Sequence, residues 1–260
     1  MALITDHSLN PSTKNRQIAA IGAALTTILA VVPLPVQALT FVTKRTDLGG
    51  NDQVDWSNVS KIFNPFAPDP AAFLPNSFSV ESSVGKEVNV NIPLSNSPNI
   101  TPPFVFRTSF PPNGIPTNFA LGDFLLYTGA ASGSFPAIGN PGPLTITFPQ
   151  GVTAAGTQIA VDDTPEFTAF VSAFDTDNNL LGTFSIPATS SLTLDNSAVF
   201  LGVKSNIPNI KQLVFNSSEP NRAIAINTLS ITAVFEATPT FGLLCTAILS
   251  VGLFRKVRVE

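Results

Sequence analysis

Residues 144–148 have the sequence Leu144-Thr145-Ile146-Thr147-Phe148, in which apolar and polar side chains alternate. Residues 88–92 alternate in the same way, as Val88-Asn89-Val90-Asn91-Ile92. Successive side chains of a β-strand point to opposite faces, so this alternation predicts strands with one buried and one solvated face. No stretch of the central chain keeps a helical period of 3.6 residues, and we therefore expect residues 39–235 to be all-β.

Short segments of this kind recur along the central chain. Residues 167–174 are apolar in both phases, which predicts a strand covered on both faces. The apolar residues of 224–235 occupy even positions first and odd positions later, so we expect a β-bulge near Asn227 and Thr228. Further strands are predicted at residues 77–82, 104–108, 124–127, 157–161, 180–186, 191–194, 199–203 and 211–216.

The composition favours a sandwich of two sheets. The chain of 260 residues has 23 Pro, and the Pro- and Asn-rich stretches at 64–75, 93–103 and 111–118 are predicted loops. Many short strands, turn-rich joints and no crossover helices predict a two-sheet β-sandwich of jelly-roll type. We expect the 21 Phe residues to supply its core.

The N-terminus has the layout of a secretory signal peptide. Lys14 and Arg16 precede a 15-residue apolar stretch at 18–32, and a proline-containing break leads to the small-x-small sequence Val36-Gln37-Ala38. We predict cleavage between Ala38 and Leu39; an uncleaved anchor helix is the alternative.

Few kinds of chemistry are open to the remaining chain. His7 is the only histidine and lies in the predicted signal peptide, and Cys245 is the only cysteine. Imidazole catalysis, Ser-His-Asp triads, internal disulfides and cysteine metal clusters are therefore not expected. Residues 39–235 have 8 Lys and Arg against 14 Asp and Glu, a net charge of −6, so a nucleic-acid partner is not expected either. We therefore expect that the protein is not an enzyme.

The C-terminus has the pattern of a membrane segment. Residues 237–254 are uncharged and mostly apolar, and Arg255-Lys256-Val257-Arg258 follows directly. Basic residues after a membrane segment predict a cytoplasmic end, with everything before it outside. A buried terminal strand is the alternative, but the basic tail, Pro239 and Gly242 disfavour it.

The residues before this segment resemble a sorting signal. The run Phe235-Glu236-Ala237-Thr238-Pro239-Thr240-Phe241-Gly242, with its apolar segment and basic end, is similar to a PEP-CTERM signal, in particular to the variant P-F-E-x-S-P-T-x-G. Val234 stands in place of the first proline, and there is no Pro-Glu-Pro triplet. The residues that carry the resemblance are Phe235, Glu236, Thr238, Pro239, Thr240, Gly242, Arg255, Lys256 and Arg258.

This resemblance implies how the protein is exported and which proteases process it. Signal peptidase would remove residues 1–38, an inner-membrane-anchored intermediate would follow, and an exosortase-type protease would release the domain to the cell surface or the extracellular matrix. A permanent membrane anchor has the same hydropathy and is the alternative. Asp52-Gln53-Val54-Asp55-Trp56, the hairpin at 174–182 and the run at 199–203 further resemble the β-sandwich ectodomains that accompany such signals, which implies no particular activity.

Two groups of residues are candidate sites. Asp175, Asp177 and Asn179 of the predicted hairpin, with Asp163, offer the oxygen ligands that calcium prefers, although Asp and Asn are also ordinary turn residues. Trp56 and Tyr127 could stack on sugar rings, because each ring has a polar group at its edge. We expect a non-enzymatic structural or adhesive surface protein without a cofactor; a carbohydrate-binding module, with or without calcium, is the alternative.

Overall fold

The computed structural model describes residues 39–97, 99–131, 138–162 and 164–234. The predicted signal peptide up to Ala38, the predicted sorting residues from Phe235 onwards, and Asp163 lie outside the described residues. Within those ranges, no helix has the length and apolar character that crossing a membrane requires.

The described residues form two antiparallel β-sheets, which confirms the predicted all-β sandwich. Helical structure in these ranges is limited to α1 (Arg45–Leu48) and two short 3₁₀ turns, Trp56–Asn58 and Pro70–Ala72. The strands are β1 (Leu39–Val42), β2 (Asp52–Val54), β3 (Ser77–Glu81), β4 (Glu87–Asn91), β5 (Phe104–Arg107), β6 (Phe124–Tyr127), β7 (Leu144–Val152), β8 (Ala154–Val161), β9 (Phe167–Phe174), β10 (Leu180–Ala188), β11 (Val199–Ser205), β12 (Ile210–Ser217), β13 (Ile224–Ile226) and β14 (Leu229–Thr232).

Sheet A has the order β1-β11-β8-β13-β6-β5, and β14 lies between β8 and β2 in the same sheet. Sheet B has the order β10-β9-β12-β7-β4-β3. The space between the sheets is filled mainly by Val, Ile, Leu and Ala. Ile146 of β7 and Val90 of β4 face this core, whereas Thr145 and Asn89 do not, as their alternation predicted.

The predicted bulge is present and divides the last strand in two. Ile226 of β13 pairs with Ile159 of β8, and Ser230 of β14 pairs with Gly156 of the same strand. Three residues, 227–229, therefore face two residues, 157–158, and the extra residue shifts the register by one. Strand β8 is consequently paired with β13 at one end and with β14 at the other.

Two predictions about strands need correction, and two short strands were missed. Residues 191–194 form no strand, because the Ser191 hydroxyl accepts the Thr193 N–H (3.2 Å) and so competes with ladder pairing. The outer face of β9 is only half-covered, since every second residue there is partly exposed. Strands β1 and β2 were not predicted; they have four and three residues, too few for a clear alternation.

The phenylalanines do not fill the core as predicted. Among the described residues, only Phe148, Phe167 and Phe215 are buried in the core between the sheets; a further four phenylalanines are partly buried against it, Phe41, Phe78, Phe124 and Phe184. A second cluster contains Phe104, Phe106, Phe119 and Tyr127, with Phe63 and Phe73 packed against it. Strand β5 shows where this cluster lies: Val105 faces the core between the sheets, so Phe104 and Phe106 point out of the opposite face of sheet A.

Candidate functional site

The outer face of sheet A has one row of directly opposed residues that runs across four strands. Phe104 pairs with Tyr127, Tyr127 with Ala225, and Ala225 with Ala160. The Phe104 and Tyr127 rings are 5.1 Å apart between centroids, and Phe106 meets Tyr127 edge-on at 5.8 Å. Because large rings give way to alanines along this row, the sheet surface forms the floor of a depression beside the rings.

The loop between β2 and β3 forms one wall of this depression. The Phe63 ring lies 4.2 Å from that of Phe104 between centroids, and the Phe63 N–H donates to the Val105 carbonyl oxygen (2.7 Å). Phe73 stacks on Phe63 at 5.5 Å. Pro65, Pro68 and Pro70 restrict the backbone of the same loop, so the aromatic wall is preorganised. Phe66 stands at its rim and is 55% exposed.

Residues 115–119 and 190–192 supply a second part of the pocket wall. Asn118 joins the two segments to the sheet: its side-chain amide donates to the Thr189 carbonyl oxygen (2.8 Å), and its own carbonyl oxygen accepts the Ala198 N–H (2.9 Å). Leu192 stands at this rim, 62% exposed. The walls and floor enclose a pocket of about 870 Å³. That volume falls within the range of roughly 300–1,000 Å³ that is typical of ligand sites.

Polar groups are few in the pocket. Asp162 is the only charged residue among the described residues that line it. Burial raises the pKa of the Tyr127 phenol well above its ordinary value, the carboxylate and hydrogen bond of Asp162 raise it further, and Arg222 acts weakly in the opposite direction. On the wall, the buried Thr117 Oγ1 and Asn118 Oδ1 have no hydrogen-bond partner among the described residues, which raises the energy of the free protein.

The structure separates the two residues predicted to contact sugar. Tyr127 lies in the pocket floor, nearly buried. Trp56 is 0% exposed, belongs to the core on the other face of sheet A and donates its indole N–H to the Asn227 carbonyl oxygen (2.8 Å). A sugar ring stacks only on an accessible aromatic face, so the hypothesis that Trp56 binds a ligand does not fit its position.

The predicted calcium hairpin has the geometry of a capped turn. Asp175 Oδ1 accepts the N–H groups of Asp177 (2.9 Å) and Asn179 (2.8 Å), and Oδ2 accepts the Asn179 side-chain amide (3.1 Å). These hydrogen bonds, first that of the Asn179 side chain, lower the pKa of Asp175. Asn178 adopts a positive φ of 62° in the turn. In the described ranges, no three His, Cys, Asp or Glu residues are grouped so that they could hold a metal ion.

Sequence reasoning missed the pocket because it assigned phenylalanine to the core and sought ligand contacts only at Trp and Tyr. A signal for the pocket does exist. Phe63, Phe66 and Phe73 fall in or beside the proline-rich loop that was predicted at 64–75. Several aromatic residues in one loop favour packing of that loop on an apolar surface, and Phe104-Val105-Phe106 is a strand that is apolar on both faces.

No protein-family model matches the chain, and no curated protein matches it. Five chains of solved structures match, and two of these are described here. A DUF4465 family protein from Bacteroides caccae is 14% identical with a TM-score of 0.38, and the match covers 70% of this chain and 100% of that one. CsCBM6-3 from Clostridium stercorarium, in complex with cellobiose, is 14% identical with a TM-score of 0.21, over 62% of this chain and 86% of that one. At these TM-scores, we infer neither a site nor a ligand of this chain from the two structures.

Proposed function

We propose that this chain is an exported, non-enzymatic β-sandwich protein of the bacterial envelope or extracellular matrix, which attaches to a partner molecule through the pocket on sheet A. The pocket itself is the observation that carries the proposal. Its floor and one wall are aromatic, and its rims expose Phe66 and Leu192 to water. A concave site lined mainly by apolar and aromatic side chains with a few polar groups is the usual form of a ligand-binding pocket.

The position of the pocket supports an adhesive role. Leu39 pairs with Ser205, the Ser205 N–H donates to the Thr153 carbonyl oxygen (2.7 Å), and the Thr153 N–H donates to the Thr232 carbonyl oxygen (3.0 Å). Both ends of the described chain therefore lie at one end of sheet A. The pocket floor at Ala160 lies at the other end of β8, about 20 Å away at roughly 3.3 Å per residue. A domain tethered through either terminus would present this pocket away from its attachment.

The sorting part of the proposal rests on the resemblance of residues 235–260 to an exosortase substrate. Mass spectrometry of protein released from the surface of exporting cells tests it. We expect a chain that begins at Leu39 and ends close to Pro239. Protein that stays in the inner membrane and keeps residues 255–260 would show that the segment is a permanent anchor.

The binding part is tested with Nile red, an uncharged apolar dye whose fluorescence rises in apolar surroundings. Phe66→Ala and Phe110→Ala remove the same side chain from two exposed positions, 55% and 64% exposed, but only Phe66 lines the pocket. We expect Phe66→Ala to weaken dye binding about tenfold, which corresponds to about 1.4 kcal/mol, and Phe110→Ala to leave it unchanged. Equal losses, or no dye binding by the unaltered protein, would overturn the assignment of the pocket as the binding site.

Carbohydrate is the second candidate ligand. Hydroxyl-bearing residues, among them Thr101, Ser190 and Ser191, line the pocket beside Tyr127 and could pair with sugar hydroxyls. A polysaccharide pull-down that captures the full chain, and that fails with Tyr127→Phe, would favour this ligand over an apolar one.

A further inference from the structure

We infer that the pocket on sheet A takes an apolar molecule with an alkyl chain or ring that carries no negative charge, and that it rejects the same molecule when it bears a carboxylate. This inference rests on the proposed binding role of the pocket and adds the chemical class of the ligand.

The described lining of the pocket carries a negative charge and no positive one. Among the described lining residues there is no Lys or Arg, and Asp162 supplies one negative charge. An anion that enters an apolar site loses hydration, and this loss is expensive unless a cation or several donors replace the water. The described lining has no lysine or arginine, so an anionic ligand would regain only the hydrogen bonds that its few hydroxyl and amide groups can donate.

Arg222 is a cation whose charge acts on Tyr127 in the floor of the pocket. Both Asp162 and Arg222 act electrostatically on the Tyr127 hydroxyl, and the effect of Asp162 is the larger of the two. At that hydroxyl the negative charge of Asp162 outweighs the positive charge of Arg222. A ligand carboxylate placed beside Tyr127 would be repelled by Asp162 more than it is attracted by Arg222.

The walls of the pocket are mainly hydrocarbon. Phe63, Phe73, Phe104 and Phe106 present hydrocarbon surface with no hydrogen-bonding atoms, and five prolines add to it. Burial of alkyl groups against such a surface gains affinity with each added methylene, by about fourfold. We therefore expect the affinity of this pocket to rise with the length of the ligand's alkyl chain.

Decanol and decanoate are suitable probes, because they share one alkyl chain and differ in charge at neutral pH. Binding is measured by calorimetry on the full chain in lipid nanodiscs, with empty nanodiscs as the blank. We expect decanol to bind at least tenfold more tightly than decanoate, and hexanol to bind more weakly than decanol. Leu192→Ala should weaken binding of decanol, whereas Leu121→Ala should not; both leucines are 62% exposed, but only Leu192 lines the pocket.

Two substitutions at Asp162 test the origin of the selectivity. Asp162→Asn removes the charge and should narrow the preference for decanol over decanoate, while Asp162→Glu keeps the charge and should preserve it. Equal affinity of the unaltered protein for the two probes overturns this inference and leaves the proposed binding role intact. Binding of neither probe, together with no binding of Nile red, overturns both.

Discussion

Trp56 donates its indole N–H to the backbone carbonyl oxygen of Asn227 across 2.8 Å, inside the core. Asn227 is the first residue of the bulge between β13 and β14. Its side-chain amide donates to Asp123 (3.0 Å), and its Oδ1 accepts from the Arg45 guanidinium (2.8 Å). The bulge therefore orients one residue so that its backbone fixes the buried indole and its side chain joins two charged groups.

We expect Asn227→Ala to lower the free energy of unfolding by about 2 kcal/mol, because Arg45 and Asp123 each lose a hydrogen-bond partner in a partly buried place. Asn227→Asp is the matched variant: it retains the acceptor for Arg45 but sets a carboxylate against that of Asp123. Its loss of stability should be greater at neutral pH than at acid pH. Denaturant unfolding measures both, and a loss below about 1 kcal/mol for Asn227→Ala would contradict this role.

A second prediction concerns the close approach of β8 and β11. Gly156 opposes Gly202, and a Cβ on Gly156 would lie 2.5 Å from the Gly202 Cα and 2.6 Å from the Leu201 carbonyl oxygen. Backbone atoms on both sides cannot yield, so Gly156→Ala should destabilise the fold by about 3 kcal/mol. Gly85→Ala is the control, since it meets nothing within 4 Å and costs only the strain of its φ of +76°. Thermal unfolding should rank Gly156→Ala clearly below Gly85→Ala.

The hairpin at Asp175 distinguishes a turn from a calcium site. Because Asp175 already accepts three hydrogen bonds within its own hairpin, we expect Asp175→Ala to lower the melting temperature equally in calcium and in a chelator. A melting temperature of the unaltered protein that rises with millimolar calcium, and a rise that Asp175→Ala and Asp177→Ala both abolish, would restore the calcium interpretation.

The same hydrogen bonds imply acid sensitivity of this hairpin. The pKa of Asp175 is lowered in the folded protein, chiefly by the Asn179 side chain. Its contribution to stability is thus complete above the unfolded pKa of about 3.9, and it is lost as the pH falls through the lower, folded value. A carbon-detected NMR titration of Asp175 should show this low pKa, and an ordinary value would contradict the turn contacts.

The sequence predicted those features that alternation controls. The polar and apolar phases of β4 and β7, and the phase change at Asn227, fix which side chains enter the core, so the sandwich and its bulge could be foreseen. The pocket could not, because it depends on which loop packs on the second face of β5. Phe63 and Phe104 are 41 positions apart in the chain, and only the packing of the loop on β5 brings the centroids of their rings to 4.2 Å. Trp56 and Asn227 are 171 positions apart, so their contact, and with it the burial of Trp56, could not be predicted from the sequence either.

Tyr127 provides a direct spectroscopic report on the pocket floor, because it is the only tyrosine in the chain. Burial, then the charge and hydrogen bond of Asp162, raise the pKa of its phenol well above the ordinary value of about 10. The folded protein should therefore show no phenolate absorbance near pH 10. The contribution of the neutral phenol to stability is complete below the pKa of Tyr127 in the unfolded chain, and it is lost as the pH rises through the higher pKa of the folded protein. Asp162→Asn should lower the pKa of Tyr127 yet leave it raised, since burial is the larger cause. Phenolate that appears at the ordinary pH while the circular dichroism stays unchanged would show that the floor of the pocket is open to water.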